Sequence, residues 1–148
     1  TLALPQTGMG INIDIGEAND IHPKNKQEVG RRLSLWALGT VYGRKVPATS
    51  GPLPAGHTVR GSEIVLSFKH TDGGLVAPGG ELKGFVVAGE DRQWHSAPAR
   101  IEGDKVVVSS PDVKRPVAVR YAWENLPTCN LYNGAGLPAT PFRTDDWK

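Results

Sequence analysis

The chain has 148 residues, 22% of them charged and 39% hydrophobic, with a formal net charge of +2. This length fits one domain or one and a half and is enough to bury a real core; apolar runs persist between the 18 glycines and 12 prolines, which excludes a disordered chain. Basic residues gather only in pairs such as Arg31-Arg32 and Lys114-Arg115, which argues against a nucleic-acid partner, and no stretch approaches the roughly 18 apolar residues of a membrane span.

Cys129 is the single cysteine, so no internal disulfide can form, and the compartment stays open. No CxxC or HxxxH pair suggests a zinc site, and no cofactor is expected. The N-terminus, TLALPQTGMG, lacks the basic and apolar regions of a signal peptide, so an export signal would lie upstream.

In chain order, Ile11, Ile13 and Ile15 alternate with Asn12 and Asp14, which predicts a strand ended by Gly16. A polar loop from Glu17 to His22 follows. Pro23 suits the first position of a helix, because its missing N–H would be unpaired there anyway. Val29, Leu33, Trp36, Ala37 and Val41 then form an apolar stripe that Leu35 and Leu38 widen, so a well-buried helix is expected. Gly43 is placed to end it. Strand, loop and helix in this order read as a final βα unit, with the loop at the carboxyl end of the strand, where α/β folds place their sites. We assign this unit to residues 1–43.

Residues 44–59, rich in Pro and Gly, read as a linker with little regular structure. Residues 60–148 carry strand signals at 64–69, 82–88, 94–101, 105–109 and 117–123, with a turn about every ten residues. The expected fold class is therefore mostly β, an antiparallel β-sandwich preceded by the strand–loop–helix unit. The tail from Leu126 has too many breakers for regular structure, yet Leu131, Tyr132, Leu137, Phe142 and Trp147 are too apolar for a free end; an ordered coil packed on the domain is expected. Val117, Val119, Tyr121 and Trp123 fall on one face of one strand, which favours core packing for Trp123 over sugar stacking, and Trp94 is read the same way. Asn130, Asn133, Arg143 and Asp145 in the tail are candidates for polar contacts near a substrate. His57, His70 and His95 have no acid at motif spacing and read as surface residues.

His22 is the sharpest candidate for chemistry. It sits in a polar loop before a helix, with Asp20 two residues upstream. A histidine there can act as a general base when an acceptor holds its other ring nitrogen, and Asp20 can supply that acceptor.

The block DIHPKNKQEVGRRL, the segments GELKGFVVAGED and ARIEGDKVVVSSP, and the ending LPATPFRTDDW together resemble the sialate O-acetylesterase family of SGNH hydrolases over nearly the whole chain. The resemblance implies a last βα unit of an SGNH-type domain followed by the sandwich. It further implies a carbohydrate acetylesterase that removes acetyl groups from sugar hydroxyls through a serine nucleophile. His22 matches the family's histidine. Secreted or periplasmic localisation is likewise implied by the resemblance alone.

Two departures matter. The family's spacing puts the acid three residues before the histidine, where this chain has Asn19; Asp20 is the preferred orienter, with Asn19, a backbone carbonyl or an acid from elsewhere as alternatives and Asp14 a distant second. No serine here fits a Gly-x-Ser-Asn-type nucleophile block, since Ser34 lies in the helix and the others lie in the connector or beside strands. The expected partners are thus an N-terminal part of the same enzyme, carrying the serine, and an acetylated carbohydrate. Alone, the chain is expected to be inactive. The alternative reading is a non-catalytic carbohydrate-associated β-sandwich module, and a purely structural domain is a third.

Overall fold

The computed structural model describes residues 2–147. One helix, α1 (Lys26–Trp36), continues into a π-helical turn at Ala37–Val41. Ten strands follow: β1 (Leu53–Arg60), β2 (Glu63–Lys69), β3 (Leu75–Val76), β4 (Phe85–Ala88), β5 (Trp94–Ser96), β6 (Ala99–Glu102), β7 (Lys105–Ser109), β8 (Ala118–Tyr121), β9 (Tyr132–Asn133) and β10 (Phe142–Arg143). They form one antiparallel sheet in the order β1-β2-β7-β6, a second in the order β10-β8-β4-β5, and a small ribbon of β3 and β9.

The two larger sheets share one core, as the period-2 pattern requires. From the first, Ile64 and Leu66 pair in register with Val108 and Val106 and point inward; from the second, Phe85 and Val87 pair with Tyr121 and Val119. The rings of Phe85, Tyr121 and Phe142 form a row, and Phe68 of β2 meets Phe142 of β10 edge-on at 5.9 Å. Each fully buried side chain of this size contributes roughly 1.5–3 kcal/mol. Burial raises the pKa of the Tyr121 hydroxyl, whose oxygen accepts the backbone N–H of Leu131 at 2.9 Å.

Several sequence expectations need correction. Residues 11–15 form no strand. With no neighbouring strand to pair their backbone groups, they run as turn and coil, and Ile13 packs against the sandwich core. The second half of the stretch expected to be irregular is β1, which pairs with β2 from Leu53 to Arg60; its Pro54 sits at the bulge of an edge strand, where no donor is missed. Residues 94–101 split at Pro98 into β5 and β6, which belong to different sheets, a corner between packed layers. The tail packs as expected, with Leu131, Leu137 and Ala139 buried, but it also contributes β9 and β10.

The helix begins at Lys26 rather than at Pro23, because the Asn25 side chain accepts the Glu28 N–H and so caps it there. It is not well buried: Arg32 is its one buried residue among those described, while Leu33 is half exposed. The segment before it lies flat on the Trp36 indole at Gly8, where a Cβ would collide with the ring.

Candidate active site

Three side-chain oxygens order the loop that carries His22. Glu17 Oε1 accepts the Lys24 N–H at 2.7 Å, Asp20 Oδ1 accepts the His22 N–H at 2.8 Å, and Asn25 Oδ1 accepts the Glu28 N–H at 3.2 Å. A short bridge between Glu17 and Asp20 closes the loop at its base. Backbone donors ahead of a helix have no partner within the helix, and here polar side chains supply them. The result is an exposed histidine on a hydrogen-bonded loop, next to Ile21, which is 90% exposed.

The candidate acids are therefore placed differently from one another. Asp20 lies beside His22 and binds its backbone through Oδ1, while Oδ2 makes no hydrogen bond among the described residues. Asn19 is exposed. Asp14 is committed elsewhere: its carboxylate takes Arg32 Nη1 and Nη2 at 2.6 and 2.8 Å and the Tyr132 hydroxyl at 2.9 Å. The His22 imidazole makes no hydrogen bond or ion pair among the described residues, so both ring nitrogens are open to a substrate-side group.

Arg32 was not legible as a buried clamp, because an arginine on a helix usually faces solvent. It is 6% exposed and also donates to Ile11 O at 2.6 Å and to Glu28 Oε1 at 2.8 Å. This clamp ties the segment before the His22 loop, the helix after it and β9 into one unit. Burial pushes the Asp14 carboxyl upward, but hydrogen bonds from Arg32 and Tyr132 outweigh it and hold it below the usual carboxylate range. Glu28, hydrogen-bonded by Arg31 and then Arg32, is held down to about 2. Its i+3 and i+4 spacing to these arginines was the available signal.

The tail candidates are structural. Asn133 is fully buried and joins three segments, donating to Ser50 O and His70 O and accepting the Leu137 N–H, each at 3.0 Å. Asp145 is buried against Arg120, and Arg143 donates to Trp147 O. Asn130 braces the turn before β4. Neither tryptophan lies in the core. Trp94 is half buried on the outer face, between Trp147 at 5.4 Å and the Arg120 guanidinium at 4.1 Å, and Trp123 is 50% exposed. His57 and His70 are exposed as expected, and half-buried His95 lies 3.8 Å from Asp112. Among the described residues no cluster of three or more His, Cys, Asp or Glu could hold a metal ion, and no helix is long and apolar enough to cross a membrane.

No family model matches the chain. A solved carbohydrate acetylesterase from Xanthomonas citri does: it superposes with a TM-score of 0.94 at 45% identity, over 99% of this chain and 34% of that one. The sialate O-acetylesterase of Mus musculus is 31% identical over 94% of this chain, and that of Homo sapiens 28%. The chain is thus similar in sequence to sialate O-acetylesterases and in fold to a carbohydrate acetylesterase. It spans 28% of the length of the mouse protein, and its fold matches the C-terminal portion of a carbohydrate acetylesterase. His22 and its hydrogen-bonded loop lie in the short unit ahead of the two larger sheets.

Proposed function

We propose that this chain is the C-terminal part of a carbohydrate O-acetylesterase of the SGNH type, and that His22 is its general base. The observation that carries the reading is an exposed histidine on an ordered loop before α1, in a chain 45% identical to a carbohydrate acetylesterase. The serine nucleophile belongs to polypeptide preceding this chain. His22 takes the serine proton as the oxygen attacks the acetyl carbonyl carbon, then returns it to the departing sugar oxygen. Water cleaves the acetyl-enzyme by the same route, releasing acetate. Asp20, whose Oδ2 makes no hydrogen bond among the described residues, is the candidate to hold the imidazole while this happens.

The partner surface is an apolar stripe along and beyond the helix. Val41 is 58% and Tyr42 71% exposed, and Leu33 in α1 and Leu38 in the π-helical turn are exposed as well, a concentration of large apolar side chains in one short segment that points to a covering partner. The second reading, a non-catalytic carbohydrate-associated module, draws on one observation, the exposed Trp123 beside a cleft.

The test is acetate release from an acetylated chromogenic substrate and from acetylated glycans. The 148-residue chain is predicted to be inactive alone and active when joined to, or mixed with, the preceding polypeptide. Inactivity of the completed protein on every acetyl ester would favour the binding-module reading.

A further inference from the structure

We propose that the cleft beside Trp123 binds a neutral sugar ring of a glycan, with the Trp123 indole as the stacking platform; this rests on the carbohydrate-acetylesterase reading. The backbone supplies the first argument. Continued alternation along β8 would turn Trp123 inward with Val119 and Tyr121. Ala122 instead adopts φ +50°, and its N–H donates to Gly84 O at 2.9 Å. A left-handed conformation is costly for a residue with a Cβ. Here it turns a large aromatic out of the core, and strain held in this way marks functional positions.

The cleft itself is the second argument. It encloses about 420 Å³ over a floor of buried Leu82, Phe85 and Ala97. That volume lies within the range of small-molecule sites. A second hollow of about 320 Å³, lined by Ile13 and Pro141, opens beside it. Trp123 and Glu124 border both, so a glycan lying across the indole enters each. The rim is preformed. Asn130 Nδ2 donates to Pro78 O at 2.9 Å and Glu81 O at 2.8 Å, and its Oδ1 accepts the Lys83 N–H at 2.8 Å. Gly84 has φ +92°, and a Cβ there would come within 3.0 Å of Cys129 Cβ. The Arg143 guanidinium stands 5.5 Å from the centre of the Trp123 ring and helps fix its orientation.

The chemistry of the walls selects the ligand. Glu81, Lys83, Ser96, Glu124 and Thr128 are exposed on the cleft, and their side chains make no hydrogen bond or ion pair among the described residues. Carboxylates and hydroxyls are partners for sugar hydroxyls, and the indole face is a partner for the apolar C–H face of a pyranose. Glu81 and Glu124 are balanced by Lys83 and by the Arg143 guanidinium over the indole, so the site has no net charge to attract an anionic sugar and suits a neutral one.

The test is direct binding, which requires no ester cleavage and therefore fails independently of the esterase reading. Cellotetraose, xylotetraose, mannotetraose and N-acetylneuraminic acid are titrated calorimetrically into the 148-residue chain and into the protein completed by its preceding polypeptide. At least one neutral tetrasaccharide is expected to saturate both forms. Trp123→Ala should weaken it about tenfold or more, equivalent to ~1.4 kcal/mol, and Trp123→Phe should retain most of the binding. Unchanged thermal unfolding of both variants, expected for an exposed side chain, shows that the fold is intact. The proposal is overturned if no neutral tetrasaccharide binds, if Trp123→Ala binds as well as the parent, or if N-acetylneuraminic acid binds more tightly than all three. Binding by the short chain that disappears in the completed protein also overturns it, because the preceding polypeptide then covers the cleft.

Discussion

At Arg32 one guanidinium serves Asp14, Glu28 and the Ile11 carbonyl while nearly excluded from water. Removing one partner of a buried pair leaves the other charged and unpaired, which costs roughly 3–5 kcal/mol. Arg32→Gln is therefore expected to lower stability by about 3 kcal/mol in urea unfolding. The acid limb of stability follows from the same contacts. Asp14, Asp145 and Glu28 titrate lower in the folded chain than their ordinary values, so the unfolded chain takes up protons first. Their stabilisation is complete above the ordinary carboxylate range of about pH 4–5 and is lost as the pH falls through the lowered values. Thermal unfolding between about pH 2 and 7 should show this loss, and Asp14→Asn should give a shallower acid limb; an equally steep one would mean that Asp14 plays no part. At this scale the exposed loop of His22 and Asp20 could be placed from the sequence, because polar residues and Pro23 precede the helix there. Arg32 and Tyr132 could not, since their partners lie 18 and 118 positions away in sequence.

At the scale of elements, alternation revealed the strands that bury one face, and failed where pairing alone makes the strand. Ile64, Leu66 and Phe68 announce β2, whereas exposed β1 exists because β2 offers it a register. Residues 11–15 show the converse, a strand pattern without a neighbour. Trp123 was misjudged because one left-handed residue, Ala122, breaks the period. Side chains also join elements that no periodicity links. Asn133 fastens the connector at Ser50, the turn at His70 and the tail at Leu137. Asn133→Ala leaves buried backbone groups unpaired, each costing ~1–3 kcal/mol. A drop of at least about 2 kcal/mol is expected in urea unfolding, and a change within about 0.5 kcal/mol, typical of surface positions, would contradict the pin.

For the whole molecule, the two larger sheets bury one shared core, whereas the helical unit leaves Leu33, Leu38, Val41 and Tyr42 exposed. Leu33→Glu is expected to change the stability of the chain alone by no more than about 0.5 kcal/mol. It should nonetheless abolish restoration of activity on mixing with the preceding polypeptide, since the charge would be buried there without a partner. Full restoration by Leu33→Glu would move the contact elsewhere. The central claim is that His22 moves the proton in ester cleavage, and the measurement that tests it most directly is the kcat for acetate release by the completed protein with and without His22→Ala. A fall of about 10²–10⁴ with KM little changed is predicted, the loss expected when a positioned general base is removed. A variant that keeps the parent kcat would contradict the account.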